Sequence, residues 1–164
     1  MTETSMTYVA ISPKLVLGSC PESGSDVELL NSGLGVTAVL NLQTDNDMKF
    51  LEMDWSAINR QYVRSKVQLR RIPIIDFDRV DLLDQLPHSI SALHSLMRTG
   101  NTTYVHCTAG VNRAPTTIVA YLYWFSNWEL LDAAKHVKSL RVCSPDTEII
   151  ERASKNFGPR AIIF

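Results

Sequence analysis

The chain has 164 residues, 45% of them hydrophobic and 20% charged, with a net charge of −1. Such a composition describes an ordinary globular protein and gives no electrostatic case for nucleic acid or an anionic membrane as partner. The three cysteines, Cys20, Cys107 and Cys143, form no disulfide framework and no zinc spacing, and a small unpaired set fits a reducing compartment. The longest unbroken apolar run, residues 118–125, is far too short to span a membrane. Residues 1–6 carry no basic region followed by an apolar core, so the expected location is the cytoplasm, or a plastid where a transit peptide has been removed. No repeat, low-complexity tract or Pro/Gly linker interrupts the chain, and residues 1–164 are expected to form a single domain.

In chain order, residues 8–11 and 15–18 read as two short strands with Pro13 in the turn between them. Ser25, followed three residues later by Glu28, matches a capping box for a helix ending near Gly33 or Gly35. Residues 36–42 have a buried-strand pattern, 45–60 carry a loop and a short helix, and 69–75 form another strand. The basic run from Arg64 to Arg71 reads as a solvated face. A helix follows from Leu82 or Leu86 to Arg98, with Pro87 in its first turn and Gly100 past its end. Residues 104–106 read as the central strand and 114–125 as a helix. Asn127 is expected to cap a helix with Leu130, Leu131, Ala134, Val137 and Leu140 on one face. Ser144, Pro145 and Asp146 open a last helix ending near Asn156. Strands alternating with helices predict an α/β fold, a mostly parallel central sheet flanked by helices, with any ligand at the carboxyl ends of the strands.

The chemistry concentrates in His106-Cys107-Thr108-Ala109-Gly110-Val111-Asn112-Arg113. A strand delivers Cys107 to a tight loop, and a helix starts at Arg113. Inward-facing loop N–H groups and the positive end of the helix make an anion cradle that favours a thiolate. Arg113 offers a planar fork to two phosphate oxygens. Thr108, Ala109, Gly110, Val111 and Asn112 line the cradle, with Gly110 permitting a conformation denied to other residues. His106 is expected to support the loop by hydrogen bonding, and not to act as a base. A cysteine nucleophile acting on a phosphate ester needs an acid for the leaving alkoxide. Asp76, the first residue past a strand, is best placed; Asp78 is the runner-up, and Asp81 is assigned to supporting the next helix.

The segment from Cys107 to Arg113 resembles the dual-specificity phosphatase branch of the protein-tyrosine-phosphatase superfamily. Within it, the chain is most similar to starch-excess-type glucan phosphatases, with laforin-like enzymes as more distant relatives. The resemblance spans residues 13–154. It rests on Leu17-Gly18-Ser19-Cys20-Pro21, Leu42-Gln43-Thr44-Asp45, Asp76-Phe77-Asp78, Cys107-Thr108-Ala109-Gly110, Arg113-Ala114-Pro115 and Arg141-Val142-Cys143-Ser144-Pro145. It implies the protein-tyrosine-phosphatase-like fold, with Cys107 as nucleophile, Arg113 as phosphate ligand, Asp76 as general acid, and no cofactor or metal. It also implies an aromatic glucan channel that includes Phe77 and Phe50, with Trp55 as a local addition; packing in the core is the alternative for Phe50 and Trp55. Ala114, directly after the loop arginine, matches the glucan branch. Three positions depart from the pattern: Asn112 replaces a glycine and is expected to tolerate positive φ, while Leu51 and Ser144 stand where relatives carry aromatics.

The expected function is a metal-independent phosphatase acting on phosphorylated glucan through a phosphocysteine. A phosphoprotein phosphatase acting on tyrosine, serine or threonine phosphates is the first alternative, and a catalytically silent carbohydrate- or protein-binding module the second. A phosphoinositide substrate is disfavoured because the loop carries no positive charge besides Arg113. The chain is expected to be a monomer. Cys20 and Cys143 are either small buried residues or partners for an oxidised Cys107.

Overall fold

The computed structural model describes residues 3–158. Five strands form one sheet in the order β1-β2-β5-β3-β4. They are β1 (Tyr8–Ser12), β2 (Leu15–Gly18), β3 (Ala38–Asn41), β4 (Gln68–Arg71) and β5 (Thr103–His106). β1 pairs antiparallel with β2, and every other pair is parallel. Among the described residues the helices are α1 (Gly24–Glu28), α2 (Asp45–Phe50), α3 (Trp55–Arg64), α4 (Arg79–Arg98), α5 (Arg113–Phe125), α6 (Leu130–Leu140) and α7 (Thr147–Asn156), with a π-helical turn over Leu29–Gly33.

The period-two alternation of the strands sorts their side chains onto two cores. Leu15, Leu17, Ala38, Leu40 and Val105 face α4, α5, α6 and α7. Val16, Val39 and Tyr104 face the other way, onto Val27, Leu30, Ile58 and Tyr62 of the segment containing α1 and α3. Both faces are covered, which explains why β2, β3 and β5 are buried at every residue.

Several boundaries differ from the sequence reading. The first helix is capped by Ser23, not Ser25. The Ser23 hydroxyl accepts the Asp26 N–H, and the buried Asp26 carboxylate accepts the Glu22 N–H, which draws the helix start back to Gly24. Residues 45–60 carry two helices, separated by a turn in which Glu52 has φ +52°. α2 starts on a reciprocal box between Thr44 and Asp47, and α3 on Asp54. β4 stops at Arg71, and Pro73, without an N–H, cannot extend the ladder. α4 begins at Arg79 because the Asp78 carboxylate accepts the Val80 and Asp81 N–H groups. Pro87 therefore lies inside the helix, not in its first turn, and removes one helical bond to Leu83. Asn127 has φ +57° and ends α5, whereas α6 follows Glu129 without a side-chain cap. The basic run divides: Arg70 is exposed on the edge strand, while Arg71 turns inward to the Gln43 carbonyl, Asp45 and the face of Trp55.

Candidate active site

The carboxyl ends of the parallel strands lie in one register row: Gly18, His106, Asn41 and Arg71. Each strand then contributes one segment to a common site. β5 leads to the loop from Cys107 to Asn112, β3 to Gln43–Asp47, β2 to Cys20, and β4 to Ile74–Asp76. Ligands in α/β sheets bind at this edge because the chain there is free of the ladder and helices begin there. A cavity of about 80 Å³ opens at this edge, lined by Asp76, Phe77, Cys107, Ala109, Val111, Asn112 and Arg113.

Every carbonyl of the loop is held by a donor. The Cys107 carbonyl lies 2.8 Å from Nδ1 of His106, which donates to it. Cys20 N–H donates to Thr108 O (2.9 Å), Arg141 donates from Nη2 to Ala109 O (2.9 Å) and from Nε to Gly110 O (3.0 Å), and Ser144 N–H donates to Val111 O (2.7 Å). Asn112 O accepts from Thr116 Oγ1 and N. In a trans peptide the carbonyl and the following N–H point in opposite directions. Carbonyls drawn outward therefore turn the N–H groups of Thr108 to Asn112 towards the cavity, and the uncapped first turn of α5 adds its own. Gly110 sits at φ +69°, and a Cβ there would come within 2.5 Å of the Gly18 carbonyl. Asn112 has φ −125°, so the glycine-like conformation expected there is not used. Its side chain instead donates to Ser144 O at 2.9 Å.

Arg113 is 1% exposed. Its Nη1 donates to Asp47 Oδ2 (2.7 Å) and Ile74 O (2.8 Å), which uses both hydrogens of that nitrogen. The Nε–Nη2 edge is left facing the cavity, with Asp76 Oδ1 3.3 Å from Nε and Thr108 Oγ1 3.4 Å from Nη2. Those two nitrogens form the parallel fork that binds two phosphate oxygens. Burial raises the Asp47 carboxyl, but the bonds from Arg113 and Thr44 outweigh burial and hold it below the usual carboxylate range. The three loop aspartates divide by geometry. Asp76 is one-third exposed and lines the cavity. Asp78 is consumed as the cap of α4, and Asp81 accepts the Ile75 N–H at 2.6 Å.

His106 is buried, and burial pushes its imidazole down to about 4, with a smaller opposing effect from the Cys107 carbonyl. It is therefore neutral at physiological pH. Cys20 lies against the loop as a neutral thiol, pushed up to about 12 by burial first and then by the charges of Glu22 and Cys107. Burial also pushes Cys143 up. All three cysteines are free and buried. Among the described residues no cluster of three His, Cys, Asp or Glu side chains is placed to hold a metal ion, and no helix is long and apolar enough to cross a membrane.

The rim differs in character. Phe77 is 96% exposed and has φ +58°, a conformation that costs a non-glycine residue about 1–2 kcal/mol. It occupies the third position of a turn closed by the Asp78 N–H on Ile75 O. Phe50 is 87% exposed, one turn beyond Asp47 on α2. Neither packs in the core. Trp55 does pack, against the second core, with the Arg71 guanidinium 5.2 Å from its ring centre. Two residues of the site carried no role in the sequence reading, Asp47 and Arg141. The Thr44–Asp47 capping spacing was the available signal for the first; Arg141 offered none beyond its place in the resembling run.

The chain belongs to the dual specificity phosphatase catalytic-domain family, whose model matches residues 15–151. It is 37% identical over 155 residues to the phosphoglucan phosphatase DSP4, amyloplastic, of Castanea sativa, covering 93% of this chain and 41% of that protein. It is 33% identical to the phosphoglucan phosphatase LSF1, chloroplastic, of Arabidopsis thaliana (91% and 25% covered) and 29% identical to laforin of Mus musculus (94% and 50%). The chain thus spans half or less of the length of these relatives. Among solved structures, PTPMT1 superposes with a TM-score of 0.76 at 24% identity over 94% of this chain and 98% of that one, a likeness of fold. Human DUSP28 gives 0.68 at 25% identity, covering 91% and 93%.

Proposed function

We propose that this domain is a cysteine-dependent phosphatase that removes phosphate from phosphorylated glucan. The observation that carries the reading is the cavity itself, which joins Cys107, the free edge of Arg113, Asp76 and the exposed ring of Phe77. The phosphate oxygens take the loop N–H groups and the Nε–Nη2 fork, displacing the Asp76 side chain from Arg113 towards the leaving oxygen; away from the guanidinium, the carboxylate takes up a proton from solvent and stands as the acid. The Cys107 thiolate attacks phosphorus; the S–P bond forms as the P–O bond to the sugar breaks, and Asp76 as the acid gives its proton to the departing oxygen. Water then attacks the phosphocysteine, Asp76 takes its proton, and the S–P bond breaks to give phosphate and the thiolate. His106 supports the loop through the Cys107 carbonyl. Phe77 and Phe50 supply aromatic faces for sugar rings.

The names of the plant relatives support glucan as substrate and a plastid as location. The test is phosphate release by this chain from phosphorylated glucan, a phosphopeptide set and a small aryl phosphate. A higher kcat/KM on glucan than on phosphopeptides is expected. Preference for phosphopeptides would move the domain to the phosphoprotein reading; no turnover on any of the three would make it a binding module.

A further inference from the structure

The Arg141 guanidinium, beyond the last turn of α6, reaches back across the sheet edge to the phosphate loop. It donates to two successive carbonyls, Ala109 O at 2.9 Å and Gly110 O at 3.0 Å, and to Thr7 Oγ1 at 2.9 Å at the entry to β1. The adjoining segment adds a second tie on each side: Ser144 N–H on Val111 O, and Asn112 Nδ2 on Ser144 O. The bracket fits Gly110 closely, because a Cβ there would stand 2.9 Å from Arg141 Nη2.

We propose that Arg141 is a positioning residue for phosphate binding: by holding the Ala109 and Gly110 carbonyls outward, it turns the Gly110 and Val111 N–H groups into the cavity. The proposal rests on the phosphatase reading of the same site. The physical reason is the fixed opposition of C=O and N–H in each peptide plane. If either plane turned over, a carbonyl oxygen would replace an N–H where a phosphate oxygen must sit, exchanging attraction for repulsion. A glycine at φ +69° lacks the side chain that would otherwise resist this flip, so the restraint has to come from outside the loop. One planar guanidinium can grip two neighbouring carbonyls at once; a lysine ammonium has no such fork. Arg141 touches no substrate in this account. It acts on the thiolate and the phosphate through the loop.

The test uses the whole chain with Arg141→Met and Arg141→Lys, an aryl phosphate as substrate and inorganic phosphate as competitor. For Arg141→Met, kcat/KM and phosphate inhibition should each weaken by about 10–100-fold, the scale of one hydrogen bond to a charged group. Alkylation of Cys107 by iodoacetate at a fixed pH should slow, because the anionic reagent docks on the same N–H groups, which are no longer held. Arg141→Lys should recover part of each loss. A residue that merely tied α6 to the sheet would lower the melting temperature and leave phosphate inhibition and alkylation rate unchanged in the folded fraction. Values within about twofold of wild type on both, an effect too small for one such bond, overturn the proposal. If Arg141→Met does not fold, Arg141→Lys decides, with wild-type phosphate inhibition as the contrary result. Alkylation and isotopic phosphate binding need no turnover. A wild-type chain that binds phosphate yet hydrolyses no ester would therefore defeat the phosphatase reading while leaving the Arg141 comparison intact.

Discussion

The floor of the site and its rim are built on opposite rules. On the floor the framework is held: Arg113 is buried with two carboxylates and a main-chain carbonyl around it, and each loop carbonyl from Cys107 to Asn112 has a donor. On the rim, Phe50 and Phe77 are almost wholly exposed, and Phe77 adopts a left-handed backbone conformation without any core contact in return. Preorganised donors stabilise charge without reorganising, so the floor suits the shared chemistry of phosphate transfer. Exposed side chains can change without disturbing that chemistry, so the rim suits the choice of substrate. Substitutions on the floor should therefore affect all substrates alike, and those on the rim should separate them.

The largest break is expected at Cys107. Cys107→Ser should abolish hydrolysis while retaining phosphate binding, because the hydroxyl does not ionise at neutral pH but the loop N–H groups and Arg113 remain; isotopic phosphate binding and phosphate release check the two halves. Near-wild-type turnover would contradict the mechanism. Next, Asp76→Asn should lower kcat by about 10²–10⁴-fold on a sugar phosphate, and less on an aryl phosphate whose leaving group needs little protonation. Asp78→Ala should instead lower stability by about 1 kcal/mol through loss of the α4 cap, with little change in that substrate ratio.

How much of this was legible in the sequence depends on how far apart the partners lie. The strand, loop and helix around Cys107 and Arg113 are contiguous, so local pattern placed them, as did the α/β alternation and the mostly parallel sheet. Asp76 was read as the first residue past a strand over residues 69–75, whereas β4 ends at Arg71 and the stretch through Ile72 and Ile74, bonded to Asn41 O and Leu42 O, carries the chain on to the cavity. The Thr44–Asp47 spacing could signal a helix cap, but not that Asp47 also holds Arg113, a partner 66 positions away. Arg141 meets the loop across about 30 positions, and no local pattern encodes that bracket. Helix starts were misplaced where two equivalent cap residues competed: buried Asp26 selects Ser23 over Ser25, and the carboxylate of Asp78 starts α4 well before its apolar stripe. Asn112 was read through its tolerance of positive φ, whereas its side chain is used for the bond to Ser144.

Smaller effects sharpen the floor. Asp47→Asn should reduce kcat/KM by about 10–100-fold on glucan and aryl phosphate alike, the worth of one charge-assisted bond to Arg113. A loss confined to one substrate would move Asp47 to the rim. The floor also sets the acid limb of stability. His106 titrates near 4 when folded and near 6.5 in an unfolded chain, so the unfolded state binds more protons between those values. Stability is full above pH ~6.5 and falls as pH drops towards ~4, by up to about 3 kcal/mol. Asp47, held low in the fold, adds a further loss below about pH 4 as it is protonated. Melting curves across this range should flatten between pH ~6.5 and ~4 in His106→Asn; an unchanged slope would remove His106 from the account.

The division between floor and rim is tested most directly by Phe77→Ala, measured as kcat/KM on phosphorylated glucan and on a small aryl phosphate, beside a thermal melt. The ring is exposed, so the melting temperature and the aryl phosphate value should stay near wild type. The glucan value should fall by several-fold, about the 0.5–1.5 kcal/mol scale of one aromatic contact. Equal losses on both substrates, with or without a lowered melting temperature, would show that the rim does not select the substrate and would contradict the account.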